Sequence, residues 1–224
     1  MQIDLISEKI GNGENNIRII DNFITNDDRL AILEYCKKIA NSEGKTAFYS
    51  MPMSRELKHL YLKYTRKMIQ SAEDFYNDTC PITKYNLPDD DNDPSWSDHH
   101  TFAAGILCHP PKSFMHPHID VVGFVQEEGY NMPDPESKWS GHLSSVIYLN
   151  DDYEGGELYF KDRGVSIKPK AGQLIGFPGN RHYKHGVTEI IGKDRFTLSS
   201  WLRFEEANGK ELYSFGIEKW TEDW

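Results

Sequence analysis

The stretch His116-Pro117-His118-Ile119-Asp120 decides how the whole chain is interpreted. Side chains alternate between the two faces of a β-strand, so residues two apart point the same way. If the stretch is a strand, His118 and Asp120 project together while Ile119 turns into packing. His116 is in phase with them, and we expect it to lie outside the ligand set. Two ligands hold a metal poorly, so a metal site requires a third ligand from elsewhere in the chain.

That third ligand is available at His185, in the run His182-Tyr183-Lys184-His185-Gly186-Val187. Two histidines and one carboxylate on one face of a metal leave other positions open, which is the arrangement of non-haem Fe(II) oxygenases. The pattern therefore predicts an iron site made of His118, Asp120 and His185. For His182 we expect a surface or supporting role.

Length and charge limit the classes of function. The chain has 224 residues and a formal net charge of −10, and it is long enough for one domain with a sizeable core. An acidic protein is a poor non-specific ligand for nucleic acid or for an anionic membrane surface. No apolar run reaches the ~18 residues that a membrane-spanning helix needs. We therefore expect neither a nucleic-acid partner nor membrane association, and composition leaves the oligomeric state open.

The cysteines and the first residues bear on the cellular compartment. Cys36, Cys80 and Cys108 are an odd number at wide spacing, which is typical of reduced thiols rather than of a disulfide framework. Residues 1–8 contain no basic start followed by an apolar core, so we expect no secretory signal. Both observations favour a cytoplasmic protein.

The first third of the chain predicts one strand, at 17–20, and two helices. Thr25 or Asn26 is a suitable N-cap for the first helix. The second is expected over about 54–77, and we expect both helices to cover one side of a sheet. Apolar residues at helical spacing define the core face of the second helix: Leu57, Leu60, Tyr64, Met68, Ala72 and Phe75.

From residue 101 onward the sequence is typical of β-structure. Short apolar runs separated by turn residues favour a barrel or sandwich. Prolines, glycines and acidic residues predict loops at 78–98 and 125–140. The expected strands are 102–108, 114–120, 142–150, 155–160, 165–168, 173–177, 186–190 and 196–204.

The order of several short motifs resembles one enzyme family, the Fe(II)- and 2-oxoglutarate-dependent dioxygenases, and within it the prolyl 4-hydroxylase-like branch. Arg195 stands ten positions after His185 (195 − 185), and the resemblance covers about 102–203. The motifs, in chain order, are His118-Ile119-Asp120, Tyr148-Leu149-Asn150-Asp151, Gly155-Gly156-Glu157-Leu158-Tyr159-Phe160, Pro169-Lys170-Ala171-Gly172-Gln173-Leu174-Ile175-Gly176-Phe177, His185-Gly186-Val187 and Gly192-Lys193-Asp194-Arg195-Phe196.

The resemblance implies a mainly β fold, with a double-stranded β-helix (jelly-roll) core covered by N-terminal helices. We expect residues 1–224 to form a single oxygenase domain. Within that domain, 1–78 hold the N-terminal strand and helices, 101–204 the catalytic core and 205–224 a C-terminal tail.

The resemblance also implies residue roles. His118, Asp120 and His185 are the expected Fe(II) ligands and catalytic residues. Arg195 is the expected partner of the distal carboxylate of 2-oxoglutarate, because a buried carboxylate favours a permanent cation with a forked donor. Tyr148 is expected to share that carboxylate, with an ordinary core tyrosine as the alternative.

Two further residues are expected near the co-substrate. Thr197 lies on the strand face of Arg195 and can add a hydroxyl, or it is simply a strand residue. Nine residues before His118, the branch usually has a tyrosine, whereas this chain has His109. An imidazole can donate one hydrogen bond in its place, or the pocket is rearranged there.

The implied reaction is hydroxylation of an unactivated C–H bond, coupled to oxidative decarboxylation of 2-oxoglutarate to succinate and CO2. Dioxygen is the other co-substrate, and ascorbate is an optional further cofactor. Peptidyl proline is the leading substrate, because the two long loops can form a peptide groove, and a free amino acid or small metabolite is the alternative. Collagen is not expected without a secretory signal.

Two other classes of function stay open at this level. One is a non-catalytic metal-binding jelly-roll module. The other is a zinc hydrolase with the same three ligands, which would need a general base near its water that no motif supplies.

Overall fold

The computed structural model describes residues 16–76, 104–120, 124–127, 130–133, 143–179 and 181–202. The predicted loop at 78–98 and the predicted tail at 205–224 lie outside these residues, as does Cys80.

The N-terminal part contains two helices and two short strands. Strand β1 is Arg18–Ile20, helix α1 is Asn26–Ile39, strand β2 is Tyr49–Met51 and helix α2 is Lys58–Tyr76. Thr25 is the N-cap of α1, and its hydroxyl accepts a hydrogen bond from the Asp28 backbone N–H at 3.3 Å, as the sequence predicted. Neither helix of the described part is apolar enough along its length to cross a lipid bilayer.

Among the described residues, three short 3-10 helices lie at Arg55–Leu57, Lys161–Arg163 and Arg181–Tyr183. The rest of the described chain is mainly β-structure. Its strands are β3 Ala104–His109, β4 Met115–His118, β5 Phe124–Glu127, β6 Tyr130–Pro133, β7 Leu143–Tyr148, β8 Glu154–Gly155, β9 Leu158–Phe160, β10 Val165–Ile167, β11 Leu174–Pro178, β12 His185–Val187, β13 Ile190–Ile191 and β14 Arg195–Leu202.

The strands form antiparallel sheets. A six-stranded sheet has the order β1-β11-β7-β14-β3-β2, and a four-stranded sheet has the order β10-β9-β12-β4. Two small sheets, β13-β8 and β5-β6, complete the described set. Every strand pairing in these residues is antiparallel. The arrangement fits the predicted jelly-roll fold of mainly β-structure with few helices.

The two faces of the six-stranded sheet pack against different partners, because side chains alternate along each strand. On one face, strand residues share an apolar cluster with residues of both helices. That cluster includes Leu33, Cys36, Tyr61, Tyr64 and Met68 from the helices and Ile106, Cys108, Ile147, Phe196 and Leu198 from the strands.

The opposite face of the same sheet packs against the four-stranded sheet. Phe177 of β11 meets Phe160 of β9 edge to face, with ring centroids 5.1 Å apart. Tyr148 and Ile175 belong to the same buried cluster. The functional residues described below lie on this inner side of the sheet pair.

Three sequence expectations need correction. The stretch 125–140 was predicted to be a loop, but β5 and β6 form a hairpin there in which Phe124 lies opposite Pro133. The prediction was wrong because the many turn-forming residues of the stretch obscured its short β-strands. Strand β2 was not expected, because three residues give too short a pattern. Phe75 was expected in the core but is 45% exposed. It lies in the last turn of the helix, after the residues that pack against the sheet.

Helix α1 offers a matched test of its packing. Leu33 is buried and Leu30 is 37% exposed on the same helix. Leu33→Ala should lower the free energy of unfolding by about 2–5 kcal/mol, the usual cost of removing a buried leucine side chain. Leu30→Ala should cost less than about 1 kcal/mol. Chemical denaturation measures both, and equal losses would show that α1 does not pack as described.

Candidate active site

The three predicted metal ligands meet at the paired ends of two strands. His118 is the last residue of β4, Asp120 follows two residues later, and His185 is the first residue of β12. Strands β4 and β12 are antiparallel neighbours with His185 directly opposite His118. One candidate ligand atom from each of the three residues lies within 4.8 Å of the others. The register of one strand pair therefore assembles ligands from distant parts of the chain.

Both imidazoles direct the same nitrogen towards the carboxylate. Nε2 of His118 is 3.4 Å from Oδ1 of Asp120, and Nε2 of His185 is 3.6 Å from its Oδ2. Each Nδ1 lies within hydrogen-bond distance of the carbonyl oxygen two residues earlier, at 2.9 Å for His118 and 3.1 Å for His185. Because a carbonyl only accepts, Nδ1 carries the proton and Nε2 keeps its lone pair for a metal.

The carboxylate of Asp120 is held from the six-stranded sheet. The hydroxyl of Ser144, in β7, donates a hydrogen bond to Oδ2 of Asp120, and the Asp120 backbone N–H donates to the Gly179 carbonyl at 2.9 Å. These contacts fix both the side chain and the backbone of a residue that lies just outside its strand. Sequence reasoning missed Ser144, since a serine in a strand has no distinguishing pattern.

The protonation states of Asp120 and His185 suit metal binding, whereas at His118 burial is outweighed by the Asp120 hydrogen bond and charge, which raise the pKa. Burial alone would raise the pKa of Asp120, but the two imidazoles and the Ser144 hydroxyl outweigh it and lower the pKa to about 2. Burial lowers the pKa of His185 to about 4, although Asp120 opposes this effect. Metal ligands must be an ionised carboxylate and neutral imidazoles, and Asp120 and His185 already have these forms at neutral pH.

A second group of buried polar residues lies on the inner face of the six-stranded sheet. Arg195 is the first residue of β14 and is 3% exposed; His109 of β3 is directly opposite it. Tyr148 of β7 is fully buried, and the guanidinium carbon of Arg195 lies 4.9 Å from its ring centroid. The structure thus brings together three of the residues expected at the co-substrate.

This second group lacks a partner within the described residues. No Asp or Glu there forms a salt bridge with Arg195. The same residues supply no hydrogen-bond partner for Nε and Nη1 of Arg195, the Tyr148 hydroxyl or Nδ1 of His109. A buried cation without an anion is costly, and buried polar atoms are normally paired. The group therefore fits a ligand that carries a negative charge and accepts several hydrogen bonds.

The ionisation of this group favours the same kind of ligand. Burial, reinforced by the Arg195 charge, holds the pKa of His109 well below its usual range. Its imidazole is therefore neutral and can donate one hydrogen bond. Burial raises the pKa of Tyr148, with Arg195 opposing, so its phenol keeps a proton to donate. A carboxylate, which only accepts, matches these donors.

The remaining predicted residues lie as follows. Thr197 is buried on the Arg195 face of β14, opposite Tyr148, and its hydroxyl is 3.3 Å from that of Ser199. A contact of Thr197 with the co-substrate stays a prediction. His116 is exposed and meets the Phe114 ring edge on at 4.8 Å, outside the ligand cluster.

Known oxygenases are similar to this chain in sequence and in fold. Residues 104–203 match the family model of the 2OG-Fe(II) oxygenase superfamily. The chain is 34% identical over 96 residues to prolyl 3-hydroxylase 2 of Rattus norvegicus, a match that covers 40% of this chain and 14% of that protein.

Two solved structures resemble the fold. One is the viral collagen prolyl hydroxylase of Paramecium Bursaria Chlorella virus-1 in its 2OG complex, with a TM-score of 0.55, 19% identity and coverage of 86% of this chain and 98% of that chain. The other is a Pseudomonas putida prolyl-4-hydroxylase, with a TM-score of 0.56, 18% identity and coverage of 91% and 100%.

The family match over residues 104–203, together with the prolyl hydroxylase relatives, supports a 2OG-Fe(II) oxygenase of the prolyl 4-hydroxylase-like branch. The same matches support the predicted dioxygenase class. The structural likenesses, at 19% and 18% identity, establish the fold. The chain spans 14% of the length of the prolyl 3-hydroxylase 2 proteins that it matches.

The Ser144 contact can be tested by metal binding. Ser144→Ala removes the hydroxyl that orients Asp120, and metal affinity should fall by about 10-fold or more, as is typical when a partner of a ligand is removed. Isothermal titration calorimetry with Mn(II) measures the change.

Ser145→Ala is the matched control for that measurement. Ser145 is the next residue of β7, and its hydroxyl accepts a hydrogen bond from Arg18 at 2.8 Å, away from the ligand cluster. Its loss should leave Mn(II) affinity unchanged. Wild-type affinity in Ser144→Ala would show that Ser144 does not orient the carboxylate.

Proposed function

We propose that this protein is an Fe(II)- and 2-oxoglutarate-dependent hydroxylase of peptidyl proline, which releases succinate and CO2. The observation that carries the proposal is a pair of sites on facing sheets. One is a cluster of two histidines and a carboxylate, and the other is a buried arginine without an anionic partner in the described residues. An oxygenase that uses a dicarboxylic 2-oxo acid needs both.

The metal half of the proposal rests on the donor set. His118, Asp120 and His185 would hold Fe(II) on one side, since two imidazoles and one carboxylate are the ligands that non-haem Fe(II) enzymes use. Bound Fe(II) supplies the activation of dioxygen and the oxidation of the substrate C–H bond. The backbone carbonyls at Nδ1 of both histidines turn Nε2 towards the metal position, and Ser144 holds the Asp120 carboxylate in place.

The co-substrate half rests on charge and hydrogen bonding. The distal carboxylate of 2-oxoglutarate would pair with the Arg195 guanidinium and accept a hydrogen bond from Tyr148, and His109 is a further neutral donor in the same group. Charge-assisted, forked hydrogen bonds are strong and directional. A non-catalytic module would leave this buried cation uncompensated, so the arrangement supports turnover of a dicarboxylic co-substrate.

The substrate class is inferred from the relatives. The proteins that resemble this chain carry the names prolyl 3-hydroxylase, prolyl-4-hydroxylase and collagen prolyl hydroxylase, and a prolyl residue is a proline within a peptide. This favours a peptide over a free amino acid or small metabolite. The sequence resemblance predicted hydroxylation at position 4 of the proline ring. The relatives found by sequence are instead named prolyl 3-hydroxylases. Ascorbate use and a cytoplasmic location stay predictions.

The test of the proposal is turnover by anaerobically iron-loaded protein given 2-oxoglutarate, air and a library of proline-containing peptides. We expect peptide-stimulated succinate and a peptide that gains one oxygen atom on proline. Amino-acid analysis of the product then separates 3- from 4-hydroxyproline. Succinate formation without any hydroxylated peptide would reject peptidyl proline and retain the oxygenase.

Removal of one metal ligand should abolish the reaction. In His185→Ala only two ligands remain, so iron binding and succinate formation should both be lost. His182→Ala is the control, because this residue is near in sequence and outside the ligand cluster of the described residues. Full iron binding in His185→Ala would reject the proposed metal site.

Arg195→Ala should separate the two halves of the site. Loss of the cation should weaken 2-oxoglutarate binding by about 2–4 kcal/mol, or roughly 30-fold to several hundred-fold, and leave Mn(II) affinity unchanged. Arg195→Lys keeps the charge without the fork and should fall between wild type and Arg195→Ala. Calorimetry under nitrogen measures both affinities, and unchanged 2-oxoglutarate affinity in Arg195→Ala would reject this role.

A further inference from the structure

Tyr153 has a buried hydroxyl that the roles assigned above do not use. The residue lies between β7 and β8 and is only 5% exposed. Its hydroxyl oxygen is buried, and the described residues supply no hydrogen-bond partner for it. Since buried hydroxyls are normally paired, the unsatisfied oxygen calls for an explanation.

The ring of Tyr153 is held in place by its surroundings. A Cβ at Gly156 would lie 2.7 Å from Cε2 of the ring, so a glycine is required there to seat it. The Lys168 ammonium lies 4.4 Å from the ring centroid and donates to the Tyr153 carbonyl at 3.1 Å. Val187 and Ile190 pack with the ring in one apolar cluster. Phenylalanine would satisfy all these contacts, so packing does not account for the hydroxyl.

The segment that carries Tyr153 is bonded to the backbone on both sides of Arg195. The side-chain amide of Asn150, three residues before Tyr153, donates to the Asp194 carbonyl at 2.8 Å, and its oxygen accepts from the Phe196 backbone N–H at 2.8 Å. Burial raises the pKa of Tyr153 to about 12, the Arg195 charge opposes this rise, and Tyr148 adds to it. This effect of the Arg195 charge agrees with the position that the Asn150 hydrogen bonds give the segment. Because its pKa is raised, Tyr153 keeps its proton at neutral pH and is a hydrogen-bond donor.

We propose that Tyr153 is a further binding residue for the co-substrate and that it donates a hydrogen bond to the distal carboxylate beside Arg195 and Tyr148. This inference rests on the proposed function. A carboxylate offers about four acceptor sites on two oxygens, which accommodate a guanidinium fork and two phenols. Two phenols on one carboxylate make the pocket selective for a 2-oxo acid that ends in a carboxylate at the right distance.

Tyr153→Phe tests this role, because it removes the oxygen and keeps the ring. The measurement uses the full chain loaded with Mn(II), which supports binding without turnover, and calorimetry with two ligands. 2-Oxoglutarate carries the distal carboxylate, and 2-oxopentanoate has the same chain length without it. We expect the Kd for 2-oxoglutarate to rise about tenfold or more, as for a hydrogen bond to a charged group. The Kd values for 2-oxopentanoate and Mn(II) should not change.

Tyr61→Phe is the matched control. Tyr61 is buried, and its hydroxyl accepts a hydrogen bond from the Ser54 backbone N–H at 3.2 Å, in the helical layer. Its 2-oxoglutarate affinity should equal that of wild type.

The possible results separate the two levels of inference. An unchanged 2-oxoglutarate Kd in Tyr153→Phe would overturn the role of Tyr153, and so would an equal weakening of both ligands or of Mn(II). Absence of 2-oxoglutarate binding by the wild-type protein would instead reject the proposed function, and the role of Tyr153 with it.

Discussion

The pairing of β12 with β4 is the contact on which the rest of the site depends. It sets His185 opposite His118, and a slip of one residue would send one imidazole to the other face of the sheet. Gly186 makes the close pairing possible, since a Cβ at this position would lie 2.6 Å from the Met115 carbonyl oxygen and 2.6 Å from the Tyr159 hydroxyl. The glycine in the His185-Gly186-Val187 motif is therefore required for steric reasons, because it lets the two ligand-bearing strands approach each other.

Two buried charged residues on the inner side of the sheet pair, Asp120 and Arg195, have different surroundings. The Asp120 carboxylate is surrounded by two imidazoles and the Ser144 hydroxyl, which lower its pKa despite burial. Arg195 has no anionic partner among the described residues and lies against the Tyr148 ring. A protein that retains an uncompensated buried cation gives up stability in the free state, and a ligand that pairs with the cation restores it. Under the proposed function, co-substrate binding and stability would be coupled through Arg195.

Sequence reasoning found the parts of this site that follow from local spacing and motif order. His118 and Asp120 come from strand periodicity, and Arg195 from its position after His185. Ser144 was missed, and the proposed role of Tyr153 was not foreseen, because both depend on which strands are neighbours and which face packs inward. Neither property follows from the local sequence. The same limit explains β2, whose three residues form a strand only against β3. The prediction of a loop at 125–140 was wrong for a different reason. The turn-forming composition of this stretch concealed a short hairpin.

The architecture agrees with the proposed function, in which one fold holds both ends of a short dicarboxylic acid. His118 and His185 belong to the four-stranded sheet, whereas Arg195 and Tyr148 belong to the six-stranded sheet. Asp120 joins the two, because it follows β4 and is bound by Ser144 of β7. The spacing of the sheets is set by packed aromatic rings such as Phe160 against Phe177, and such interiors resist changes in volume. The distance between the candidate metal ligands and the guanidinium is thus a property of the core, and under the proposed function the core would select the length of the co-substrate.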